Sequence, residues 1–174
     1  MFKNLSIYRL VSGWPTTVEP LEVALRAAPF ATCGATQEKS VGWVEPRGHA
    51  HGPLVEAVGG QWLLKLAMEV KSIPSSVIKR KVQDQVDHIA ASTGRKPGKK
   101  EKREISDEVR LSLLPMAFTK QSSVQVWVDP KAGLLLTDAG SQAKADEVMT
   151  CLIKAVDGLV VQLVNTQTSP AAAM

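Results

Sequence analysis

Cysteine occurs only twice, at Cys33 and Cys151, far apart and with no CxxC pairing. This excludes a disulfide framework and a cysteine zinc site, and it fits two reduced thiols in a reducing compartment. Long apolar runs are missing too. None approaches the roughly 18 residues that would suggest a membrane span. Lys3, Asn4 and Arg9 interrupt the N-terminus, so no signal-peptide layout is present and a cytoplasmic location is expected. Aromatic residues are few: four Trp, three Phe and one Tyr, all scattered. A platform of neighbouring rings for stacking bases is therefore not evident.

Motifs that would carry catalysis are also wanting. No GxSxG or HExxH stretch occurs. Gly94 to Lys100 faintly resembles a phosphate-binding loop. It is one spacer short, lacks Ser or Thr after the lysine, and follows no predicted strand. His49 and His51 form an HxH pair without further ligands, and His88 has no partner at metal spacing. No enzyme activity, cofactor or metal is expected.

Positive charge, in contrast, is concentrated. Between Lys79 and Arg103 there are nine Lys or Arg against three acids, a local net of +6 in a chain whose total is +4. Such asymmetry points to a polyanionic partner, or else to a solvated face. The phosphate-neutralising candidates are Lys79, Arg80 and Lys81, then Arg95, Lys96, Lys99, Lys100, Lys102 and Arg103, with Lys71 and Lys120 as outliers. Zinc-finger and basic-zipper patterns are absent, so any nucleic-acid binding should depend little on sequence.

The charge sits on a predicted helical hairpin, residues 73–118. Ile78, Val82, Val86 and Ile89 share one stripe before Gly94. Ile105, Val109, Leu113 and Leu114 share another after Lys99. Around the hairpin the pattern alternates between strand and helix. A strand is expected over residues 2–10, and a helix capped by Thr16 or Thr17 carries Leu21, Ala24, Leu25 and Ala28. A short strand follows at Ser40–Val44, then a β-hairpin turning at Gly59-Gly60. After the helical pair come strands at 122–129 and 134–137. Then a helix capped by Ser141 carries Ala145, Val148, Met149, Leu152, Ile153 and Val156, and residues 159–164 make a last strand. The predicted class is α+β: an antiparallel body of residues 1–72 and 119–164, a projecting helical hairpin, and a flexible tail at 165–174.

Several segments stand out along the chain. They begin with Phe2-Lys3-Asn4-Leu5, Tyr8-Arg9-Leu10, Phe30, Cys33-Gly34, and Gly42-Trp43-Val44 before Pro46. They continue with Lys71-Ser72-Ile73-Pro74, Gly94-Arg95-Lys96, Leu113-Leu114-Pro115 and Ala117-Phe118. Trp127-Val128-Asp129, Gly133-Leu134 and Ala143-Lys144-Ala145 complete them. In this order and spacing they resemble the N-terminal part of the RdgC family, recombination-associated proteins of bacteria. The resemblance spans the whole chain, which would form a little over half of a family member, without the family's C-terminal half. It implies a non-enzymatic homodimer, ring-shaped in the family, that binds single- and double-stranded DNA with little sequence preference. It also implies restraint of RecA-promoted strand exchange, nucleoid association, and a subunit contact at Phe118. From the residues alone, Phe118 could equally cap the base of the hairpin as a core residue. Two other classes stay open. One is a protein-interaction module that docks an acidic partner through the basic hairpin. The other is an enzyme built on the Gly/His loop 48–52.

Overall fold

The computed structural model describes residues 3–164. Strand β1 (Ser6–Ser12) starts four residues later than the alternation suggests. The reason lies outside the segment. Asp138 Oδ1 accepts the backbone N–H groups of Lys3 at 3.0 Å and Asn4 at 2.7 Å, so a side chain satisfies donors that a ladder would otherwise use. Helix α1 (Val18–Arg26) follows extended Thr17 and buries Leu21 and Leu25, one turn apart. Its Glu22 reaches out of the helix and accepts the N–H groups of Leu54 at 3.1 Å and Val55 at 2.8 Å.

Strand β2 (Lys39–Val44) is followed by β3 (Glu56–Val58) and β4 (Gln61–Ser72), joined at Gly59-Gly60. Helices α2 (Ser75–Thr93) and α3 (Lys99–Leu113) come next, and a single 3-10 turn, Leu114–Met116, ends the pair. Strand β5 (Phe118–Asp129) is longer than the alternating run at 122–129 implies. It returns through β6 (Leu134–Thr137). Helix α4 (Gln142–Ala155) starts at Ser141, whose Oγ accepts the Lys144 N–H at 3.4 Å. Strand β7 (Val160–Leu163) is the last described element, and the tail expected at 165–174 lies outside the described residues. The class is α+β, in the order the sequence suggests.

The sheet runs β2-β4-β5-β6-β1-β7, with β3 added on β4. Strands β1 and β6, β5 and β6, and β3 and β4 pair antiparallel: Tyr8 faces Leu135, Leu135 faces Val128, and Glu56 faces Leu63. No described helix is long and apolar enough to cross a membrane.

The described residues fall into two compact units. The first is drawn from Met1–Ala31, Val41–Met68 and Ser122–Met174. Its core joins one face of the strands (Tyr8, Leu64, Leu66, Val124, Val126, Val128, Leu135) to Leu21 and Leu25 of α1 and to Ala145, Val148, Met149 and Leu152 of α4. Ile153, expected in the stripe of α4, is 47% exposed, because it lies at the flank of the arc that Val148, Leu152 and Ala145 centre on. The second unit is drawn from Thr32–Ser40 and Glu69–Gln121. Its small core is Val86, Ile105 and Val109, with Ile78, Val82, Ile89 and Leu113 packed around them.

Candidate nucleic-acid interface

The second unit is built on the two predicted stripes. They meet as a seam, and every Lys and Arg on α2 and α3 is exposed. At 100° per residue, three successive basic residues cannot share a face. Arg80 points away from the seam, while Lys79 and Lys81 lie on opposite flanks; all three are exposed. On α3 part of the charge sorts by sign, with Asp107 and Lys100 as exceptions. Lys99 and Arg103, one turn apart, form one edge with Arg110 two turns on. Glu101, Glu104 and Glu108 form the other. Arg110 was not among the candidates from sequence, yet its spacing from Lys99 and Arg103 gave the signal. Its guanidinium lies 3.5 Å from Glu38, an exposed pair of small energetic weight.

The connection between the helices holds the densest charge. Gly94 ends α2 in the left-handed conformation, φ 70°, which a side chain rarely adopts. Pro97 is buried and anchors the turn. Arg95 is not available as a bare cation. It grips Glu101 through two bonds, Nη1 to Oε2 at 2.7 Å and Nη2 to Oε1 at 3.1 Å. The Arg95 guanidinium, together with the Gly98 N–H, holds the Glu101 carboxyl below the usual carboxylate range. Glu101 thus braces the turn and caps α3 from its third position. Lys96, Lys99, Lys100, Lys102 and Arg103 have no ion-pair partner among the described residues and are exposed.

Four of these five cations lie at the N-terminus of α3. That end carries the positive pole of the helix dipole and unpaired N–H groups, and cations there cost up to about 1 kcal/mol each at low ionic strength. A polyanion laid across the turn relieves that repulsion while it neutralises the side chains. Outside the hairpin tip the charge thins. From Ile73 to Phe118 there are ten Lys or Arg against six Asp or Glu.

Lys71 is placed differently. Its ammonium donates to the carbonyls of Gly34 and Ala35, both at 2.7 Å, and so fastens the segment Thr32–Ser40. Beside it Glu69 is 3% exposed and accepts the Cys33 N–H at 2.5 Å and the Gln121 Nε2–H at 2.9 Å. The bond from the Cys33 N–H, then that from Gln121, lowers the Glu69 pKa from its ordinary 4.5. Burial, and then Glu69 itself, raise that of the Cys33 thiol. A group whose pKa falls on folding stabilises the fold above its unfolded value, and that contribution is lost as pH drops through the folded value. Thermal melts should therefore fall more steeply between about pH 5 and pH 3 in the native chain than in Glu69→Gln. Parallel curves would show that this cluster does not govern acid stability.

Lys120 is exposed on β5. Phe118, at the start of that strand, is 87% exposed and Met116 is 73% exposed. Phe118 is therefore not a core cap of the hairpin within this chain. His49 and His51 are exposed, and no group of three or more His, Cys, Asp or Glu that could hold a metal ion occurs among the described residues.

A family model described as "Putative exonuclease, RdgC" matches residues 1–174. Proteins named Recombination-associated protein RdgC are similar along almost the whole chain. That of Dechloromonas aromatica is 39% identical over 173 residues, 99% of this chain and 56% of the relative. That of Herminiimonas arsenicoxydans is 42% identical over 173 residues, 99% of this chain and 57% of the relative. That of Aeromonas hydrophila is 36% identical over 169 residues, 97% of this chain and 56% of the relative. The chain spans a little over half the length of these relatives.

Proposed function

The chain belongs to the RdgC family, and on that premise we propose that it binds DNA in recombination, holding phosphates with its basic hairpin and reading little or no sequence. In this proposal it binds double and single strands, works as a homodimer in the nucleoid, and restrains RecA-promoted strand exchange by occupying DNA. The observation that carries it is the cluster of Lys96, Lys99, Lys100, Lys102 and Arg103, unpaired within the described residues and gathered where the helix dipole disfavours it. Such a cluster gains by releasing counterions from a phosphate backbone and makes no distinction between base pairs.

Fluorescence anisotropy against salt tests this. With about six phosphate contacts, log affinity against log salt should fall with a slope near −5 on duplex, alike for unrelated sequences. No binding at low salt would turn the hairpin toward an acidic protein partner instead. The description of the family model carries the word exonuclease, and hydrolysis is not part of the proposal. End-labelled DNA incubated with the protein and Mg²⁺ should keep its length; a ladder of shorter products would replace holding with cutting.

Phe118 is proposed as the anchor of self-association, because a side chain of that size left 87% exposed beside Met116 forms an apolar patch that a second copy would bury. Sedimentation velocity should show Phe118→Ala shifted toward monomer, by about tenfold or more in the dimer dissociation constant, with its melting temperature unchanged. An unchanged dimer would move the interface elsewhere.

A further inference from the structure

The sheet path ends in two edges, and they are finished differently. The open side of β2 is crossed by the chain after α1: the Phe30 N–H donates to the Trp43 carbonyl and the Trp43 N–H to the Ala28 carbonyl, both at 3.0 Å. At the other end, β7 pairs with β1 on one side, and no described strand pairs with its far side.

The register fixes what this edge presents. The Val164 N–H donates to the Ile7 carbonyl at 2.9 Å, so these two form a hydrogen-bonded pair, and Arg9 and Gln162 form the next. The Leu10 N–H points the opposite way, to the Gly133 carbonyl at 2.8 Å. The N–H and C=O groups of Val161 and Leu163 therefore face away from β1, without a strand partner among the described residues. The usual guards of an edge are missing. Leu159 to Val164 carries no charge and no proline, and the irregularity in the pairing falls on β1, between Leu10 and Ser12. Val160, Leu163 and Val164 are 49%, 39% and 40% exposed. A flat, apolar edge of this kind is a template for another strand.

The sequence of the edge selects the strand. Val160 to Val164 reads almost the same in both directions about Gln162. Laid antiparallel on its own copy, it matches Val160 with Val164, Val161 with Leu163, and Gln162 with Gln162. That register also joins the outward groups: Val161 of one copy and Leu163 of the other exchange both backbone bonds, four in all. No charge meets its like at the axis. We infer that β7 is a docking edge for a second copy of this chain, the two strands running antiparallel about a twofold axis at Gln162. This contact lies in the first unit. It is separate from the Phe118 anchor proposed above, which lies in the second, and it needs no DNA. A ladder this short makes a weak, concentration-dependent pair.

The test uses the full chain carrying Phe118→Ala, so that the other contact is silent. Sedimentation velocity should still show pairing as concentration rises. Adding Gln162→Glu or Gln162→Lys puts like charges together at the axis, and each should raise the dissociation constant about tenfold or more. An equal mixture of the two should pair again, a rescue that damage to the fold cannot give. Gln162→Glu also stands opposite Arg9, so its melting temperature should not fall. In hydrogen exchange, the amides of Val161 and Leu163 should gain protection with concentration, while that of Val164 is protected throughout. A monomer at every concentration, undiminished pairing of either charged variant, or a mixture that pairs no better than its parts would overturn the inference. So would Val161 and Leu163 amides already protected in the dilute monomer, which would show another part of the chain lying on this edge.

Discussion

Replacing Lys96, Lys99, Lys100, Lys102 and Arg103 together with glutamine should cut duplex affinity by on the order of a hundredfold or more at low salt. The salt slope should flatten by about 4.5 units, since each of the five phosphate contacts contributes close to 0.9. The loss should be the same for unrelated sequences. A second readout separates this from damage to the fold. Cations at the start of α3 oppose its dipole, so their removal should leave the melting temperature unchanged or raise it slightly. Weaker binding with equal or greater stability is the mark of charges kept for a partner. Glu101→Gln should move affinity the other way, because it deletes a carboxylate from the turn and releases the Arg95 guanidinium. Unchanged affinity in the five-fold variant would make the cluster a solvated face and send the search to other cations.

The order of elements was legible because its signals are local. Gly59-Gly60, Pro74, Gly94 and Ser141 punctuate the chain at turns and caps, and the stripes between them have clear periods. The sheet order was not legible, since pairing β4 with β5 and β1 with β6 depends on contacts between distant segments. The late start of β1 depends on Asp138, which lies far along the chain.

The candidate interface divides in the same way. The count of positive charge was plain, and so was the hairpin that carries it. Which cations stay available was not. Arg95 is bound by Glu101, Lys71 by two carbonyls, and Lys79, Arg80 and Lys81 diverge around α2. The row of Trp127, Leu136 and Ile7 was not legible either, since it is set by the register of strands far apart in the chain.

Gly42→Ala should be strongly destabilising in the first unit. After α1 the chain crosses β2 closely: Phe30 N–H donates to the Trp43 carbonyl and Trp43 N–H to the Ala28 carbonyl, both at 3.0 Å. A Cβ on Gly42 would stand 2.4 Å from Phe30 N and Cα and 2.5 Å from the Pro29 carbonyl carbon. These are backbone atoms, so no rotamer change relieves the overlap; either the crossing opens or β2 shifts. Opening it exposes Trp43, which is 2% exposed, and strains both hydrogen bonds. The expected cost is about 3 kcal/mol or more, a fall in melting temperature of about 10 °C for a chain of this size. Gly48→Ala is the control for backbone conformation. Gly48 has φ 74° with nothing within 4 Å of the added carbon, so its cost should be only about 1–2 kcal/mol. Thermal denaturation of the two variants side by side separates a steric contact from a strained dihedral. If Gly42→Ala melts no lower than Gly48→Ala, the crossing yields easily, and Gly42 is not what holds the chain after α1 against β2.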